Sequence, residues 1–198
     1  PCACRKHDIA IVLRKPGAKA LDFTAIVVVL QLLGGSIRFG AVSISLVLVP
    51  IVVGAAVYGW KAGAWLGFMF GVAVLLSGDA AAFLPISPLG TIVTVLGKGT
   101  LCGLVSGLVY KALEKRNQWV AIILAALLCP VVNTGIFLLG CKLFFMELIG
   151  GWAAAAGVAN ADKYLLVGFV GINFLIEIVV NIVLAPVISR LIRYGKKQ

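Results

Sequence analysis

Apolar residues fall into six long stretches, separated by short polar or glycine-rich breaks. They cover roughly positions 20–35, 42–59, 62–77, 89–110, 118–146 and 164–189. A helix crosses the hydrocarbon layer in about 20 residues, with about 17–25 usual. No alternating pattern of a barrel strand is present, and unpaired backbone is too costly in lipid. The pattern therefore predicts an all-α integral membrane protein of six transmembrane helices. The second and third stretches are short and separated only by Gly59, Trp60 and Lys61, which predicts a tight helical hairpin. The fifth is long and contains Pro130, which predicts a tilt, kink or break near Cys129.

Composition agrees with the pattern. Of the 198 residues, 62% are apolar and 12% charged, against about 45–50% and 25% in ordinary soluble domains. The net charge of +10 raises nucleic acid as a partner. The cations, however, sit in clusters between apolar runs, and no basic face with interleaved aromatics exists, so nucleic-acid binding is set aside. Arg5, Lys6, Arg14, Lys15, Lys19, Lys61, Lys111, Lys115, Arg116, Arg190, Arg193, Lys196 and Lys197 fall on one side of a six-helix layout. The opposite loops hold Arg38 and Lys163. The positive-inside rule then places both termini in the cytoplasm. The layout is a cytoplasmic segment at 1–19, a six-helix domain at 20–190 and a basic cytoplasmic tail at 191–198.

The loops on the outer side are unusually apolar. The first connection is Ser36–Ala41. The next, Ser77–Pro88, is twice broken by proline. The last, Glu147–Lys163, contains Gly150, Gly151, Trp152 and four consecutive alanines. Such loops either fold over the helix ends as a lid or rest among headgroups. Glycines recur every four residues at Gly59, Gly63, Gly67 and Gly71, and again at Gly99, Gly103 and Gly107. That spacing lines one helix face and permits close backbone approach, within the chain or toward a membrane partner.

Polar groups inside apolar stretches mark candidate chemistry, because a charge near the bilayer centre costs at least about 2.5–3.5 kcal/mol. Lys98 lies roughly 13 Å from the outer end of its helix. It is either a structural ion pair with Glu177 or a cation awaiting a ligand carboxylate, phosphate or carbonyl. Asn173, Glu177 and Asn181 stand four residues apart and form one polar stripe. Asn133 and Thr134 follow Pro130 in the outer half of the fifth helix. Asparagine in such helices is otherwise interhelical glue. The candidate substrate-binding set is Lys98, Asn133, Asn173 and Glu177, with Arg38 and Asp79 from the outer loops.

Several chemistries lack their residues. Gly97-Lys98-Gly99-Thr100 resembles the end of a phosphate-binding loop, but Ile92 stands where that pattern needs glycine. The single histidine, His7, lies in the polar N-terminal segment, so no membrane-embedded triad or zinc site can use one. Cys2-x-Cys4 lacks a second ligand pair, and Cys102, Cys129 and Cys141 sit in apolar runs. No metal or cofactor is expected in this chain. No repeat, ATPase motif or proton relay is evident either, so uphill transport would need a partner.

The layout and local text resemble the substrate-binding S component of an energy-coupling factor (ECF) transporter, over about residues 20–195. The text that carries this is Val49-Pro50-Ile51-Val52-Val53-Gly54-Ala55-Ala56-Val57-Tyr58-Gly59-Trp60-Lys61-Ala62-Gly63, Gly97-Lys98-Gly99, Gly103 through Lys111, and Asn181-Ile182-Val183-Leu184-Ala185-Pro186. The resemblance implies a high-affinity binder of a vitamin in a bacterial or archaeal cytoplasmic membrane. Its pocket would lie near the outer side, in helices 4–6 and the outer loops. Its partners would be a transmembrane T component and two ABC-type ATPases, which use ATP. The family's alanine-x-x-x-alanine docking pattern is reduced here to Ala20-x-x-x-Thr24, with Gly59, Gly63 and Gly67 as a compensating contact face.

The leading expectation is thus uptake of a pantothenate-, folate- or riboflavin-like vitamin. Lys98 would meet an acidic or carbonyl group, and Asn133, Asn173 and Glu177 would orient the ligand. A membrane-embedded enzyme or scaffold, and a stand-alone facilitator, are the alternatives.

Overall fold

The computed structural model describes residues 16–36, 38–39, 42–43 and 46–196. Helix α1 spans Pro16–Ser36 and is followed by a two-residue ladder, β1 Arg38–Phe39 against β2 Val42–Ser43. Then come α2 Leu48–Tyr58, α3 Trp60–Leu76, α4 Pro88–Leu113, α5 Gln118–Phe144, α6 Met146–Ala155 and the short α7 Ala161–Lys163. A π-helical turn, Tyr164–Gly171, leads into α8 Ile172–Val183, and α9 Ala185–Lys196 ends the described chain.

Local chemistry explains the boundaries. Gly59 adopts φ 91° between α2 and α3, a conformation that glycine alone takes without strain, so the hairpin turns on one residue. Ser87 caps α4 through the Gly90 N–H at 3.2 Å, with Pro88 at the first helical position. Asn117 caps α5 by accepting from the Trp119 and Val120 N–H groups.

Helix α2 is the hub. Leu48, Ile51, Val52, Val53, Ala55 and Ala56 on it are buried. They join Leu66 and Phe70 of α3, Val95 and Cys102 of α4, Ile122 and Ala126 of α5, and Ile188 and Ile192 of α9 in one core. Glycine decides how tightly α3 and α4 pack. An added Cβ at Gly67 would run into the Gly99 carbonyl, and one at Gly63 into the Gly103 carbonyl. The close approach is therefore made inside the chain. Gly63 and Gly67 thus lie against α4. Gly59 serves the turn.

Of the tilt, kink or break expected near Cys129, a break does not occur: helix α5 is continuous through Pro130. The proline removes the donor to the Ala126 carbonyl without ending the helix, since packing against α4 and α8 holds it. A break falls at Leu184, where α8 and α9 diverge by 55°. Pro186, at the second position of α9, lacks the N–H that would continue α8. Helix α9 continues past position 190 to Lys196.

Among the described residues, α4 and α5 are each long and apolar enough to cross a membrane, and the bent α8–α9 pair makes a third candidate. The apolar parts of α1, α2 and α3 are shorter.

Candidate functional site

Lys98 sits where α3, α4 and α5 meet. The Gly67–Gly99 crossing draws α3 against α4 immediately beside it. Phe70 is three residues past Gly67 and shares its face of α3. The Lys98 Nζ lies 5.8 Å from the Phe70 ring centre and 5.0 Å from that of Phe137 on α5. Both rings offer their π-electrons to the ammonium. The charges of Glu177 and Asp79 act on Lys98 through space, but the ion pair seen among the described residues is an exposed one, Lys142–Asp162 at 3.5 Å. The Lys98–Glu177 contact pair considered from sequence is not formed.

Asn133, Phe137 and Cys141 follow one another at four-residue steps on α5 and share a face. Because Phe137 reaches Lys98, that face looks into the same region. Asn133 is buried, and its Oδ1 has no hydrogen-bond partner. Buried carbonyls are rarely left so. From α8, Glu177 and Asn181 are buried, and the Asn181 Nδ2 donates to the Glu177 carbonyl at 2.8 Å, while its Oδ1 has no partner. Helix α8 packs on α5, which brings the polar stripe up to the Asn133 side. Asn173 lies in α8 on that stripe by register. Its side chain and that of Arg38, which is in β1, are outside the described residues, as is that of Ala20.

Asp79 has a different use. Its Oδ2 accepts from Gln31 Nε2 at 2.7 Å and from Ser77 Oγ at 3.0 Å. The carboxylate thereby fastens the 77–87 connection to α1. Sequence reading passed over Gln31, although a buried amide in an apolar helix is itself a signal. Thr24 accepts from Trp65 Nε1 at 3.3 Å, which ties α1 to α3.

The aromatic roof is the other feature the sequence did not resolve. Phe83, from the 77–87 connection, packs against Phe137 at 5.8 Å, Phe145 at 4.9 Å and Trp152 at 5.7 Å between ring centres. These belong to a second apolar cluster with Cys141, Ile149, Leu165 and Val170. The apolar loop thus folds over the helix ends, and Phe137 joins this roof above to Lys98 below. A groove of about 290 Å³ is lined by Gly150, Ala153, Gly157 and Ala161.

The arrangement is that of a helical membrane protein with one cation and several amides gathered beneath an aromatic cover, suited to binding rather than bond-making. The family model described as ECF transporter, substrate-specific component, matches residues 19–189, and the chain belongs to that family. It is accordingly a transporter binding subunit and not an enzyme. Comparison with curated proteins and with solved structures finds no match.

Proposed function

We propose that the chain is the high-affinity binding subunit for uptake of a small water-soluble vitamin bearing an acidic or carbonyl group, of the pantothenate, folate or riboflavin kind. Lys98 takes that group. Asn133, Asn173 and Glu177 orient the rest, with Arg38 of the first outer loop as a further binding residue. The chain crosses a bacterial or archaeal cytoplasmic membrane six times, in α1, α2, α3, α4, α5 and the bent α8–α9, with both ends inside. A T component and two ABC-type ATPases supply the energy.

The observation that supports this reading best is the setting of Lys98. It lies half-buried between two phenyl rings, with carboxylates in electrostatic range but none paired to it. A cation so placed gains from an anion brought in from outside, because burial has already removed part of its hydration. The unsatisfied Asn133 Oδ1, one turn along α5 from Phe137, supports a ligand that also carries an N–H or O–H donor. Mass spectrometry of small molecules co-purified with the protein, followed by calorimetric titration with a vitamin panel, tests it. One acid-bearing vitamin binding below about micromolar is expected; no binding by any of them rejects it.

A further inference from the structure

The end of the molecule opposite Phe83 carries a second arrangement. Helix α9 leaves α8 at 55° and crosses that end as a strap. Ile188 and Ile192 are fully buried on its inner face. Gly195 lies against Val57, near the end of α2, where an added Cβ would come 2.9 Å from the Val57 Cγ2. The outer face is not polar. Val187, Leu191 and Tyr194 are 48%, 46% and 72% exposed and recur at helical spacing as one stripe. Arg190 and Arg193 are exposed beside it.

Cations and tryptophans ring the strap. The Arg193 guanidinium lies 5.6 Å from the ring centre of Trp119, at the start of α5. Lys115 and Arg116 precede Trp119 by four and three residues and are exposed, as is Lys111 at the end of α4. Glu114 is the acid in this connection. At the neighbouring α2–α3 turn, Lys61 stands 5.5 Å over Trp60. Indole rings settle at headgroup depth, so these pairs fix the level of the surrounding cations. A stripe of apolar residues flanked by arginines at that level is what an interfacial helix presents to lipid. Stacking over a ring holds a guanidinium in place while leaving its N–H edge for a phosphate oxygen.

We propose that this end is a binding site for an anionic phospholipid. Val187, Leu191 and Tyr194 seat against its acyl chains, and Arg193, Arg116 and Lys115 hold its phosphate headgroup. The site rests on the chain's membrane setting and is independent of any ligand at Lys98.

The test is native mass spectrometry of the full chain in detergent, with phosphatidylglycerol or phosphatidylcholine of matched chains added. Wild type is expected to retain phosphatidylglycerol about tenfold better than phosphatidylcholine. Arg116→Gln with Arg193→Gln should lose about tenfold of that retention, while Lys142→Gln with Lys163→Gln, at the other end, should not. If the Arg193 change unfolds the protein, Lys115→Gln with Arg116→Gln is expected to show the same loss. Excess inorganic phosphate is expected to leave the lipid bound. Equal retention of the two lipids, full retention by the arginine variant, or displacement by inorganic phosphate each overturns the proposal.

Discussion

The Lys98 ammonium of α4 lies 5.0 Å from the centre of the Phe137 ring of α5. That single contact connects the interior cation to the aromatic roof, because Phe137 is also packed edge-on against Phe83. Phe137 is thus shared between the surroundings of Lys98 and the packing of the cover.

A cation in this position lowers the stability of the empty protein. Lys98→Met keeps the length of the side chain and removes the charge. The empty variant is expected to melt at least about 2 °C higher than wild type, given the cost of a charge inside the bilayer. Its affinity for the ligand is expected to fall by roughly 10–150-fold, the loss of one charge-assisted hydrogen bond. Thermal melting with and without ligand checks both. A lower melting temperature without ligand would mean that Lys98 is structural.

The α3–α4 contact depends on the absence of side chains. Gly67→Ala drives a methyl group into the Gly99 backbone, which cannot move aside as a side-chain tip could. A destabilisation of about 1–3 kcal/mol is expected. Gly97→Ala serves as the control, since an added Cβ there meets nothing within 4 Å. It is expected to be neutral or slightly stabilising through helix propensity. Chemical unfolding of both in detergent gives the comparison.

Gln31 and Asp79 act as one unit. Asp79→Ala leaves a buried amide without its 2.7 Å acceptor and is expected to cost about 1–3 kcal/mol. Gln31→Ala removes the same contact from the other side. The double variant should be less destabilised than the sum of the singles. Additive losses would show that the two residues act separately.

Phe83 sets how easily the cover opens. Phe83→Ala removes three ring contacts, each worth about 0.5–1.5 kcal/mol beyond burial. Ligand dissociation is expected to accelerate at least about tenfold, with a smaller change in association. Stopped-flow displacement measures both rates. An unchanged dissociation rate would remove the 77–87 connection from the path of the ligand.

Much of this architecture is legible in the chain. The stretches at 62–77, 89–110 and 118–146 correspond to α3, α4 and α5 because a continuous apolar run of that length has helix as its lowest-cost form in lipid. The second stretch does not behave so simply. Val42 and Ser43 pair in a ladder and helix begins only at Leu48, a distinction hydropathy cannot draw because it does not record hydrogen-bond partners. Pro130 is held within the tertiary packing of α5, which stays continuous, while Pro186 sits at the start of α9, where the chain bends. For the site, helix depth places Lys98, Asn133 and Glu177 in the outer half or near the middle of the membrane, yet it carries no information on facing. Asp79 went to Gln31, and Phe70 and Phe137 came to Lys98, through contacts between helices distant in sequence. The glycine ladder signals close backbone approach, within the chain or toward a partner, and that α4 meets it is evident only in three dimensions.

The central claim, that Lys98 receives the acidic group of an imported ligand, is tested most directly by pairing a change in the protein with a change in the ligand. Calorimetry would compare the bound vitamin with its neutral amide analogue on wild type and on Lys98→Met. Wild type is expected to lose roughly 10–150-fold in affinity for the amide, and Lys98→Met almost nothing. An equal loss in both proteins would show that the acid group is recognised elsewhere.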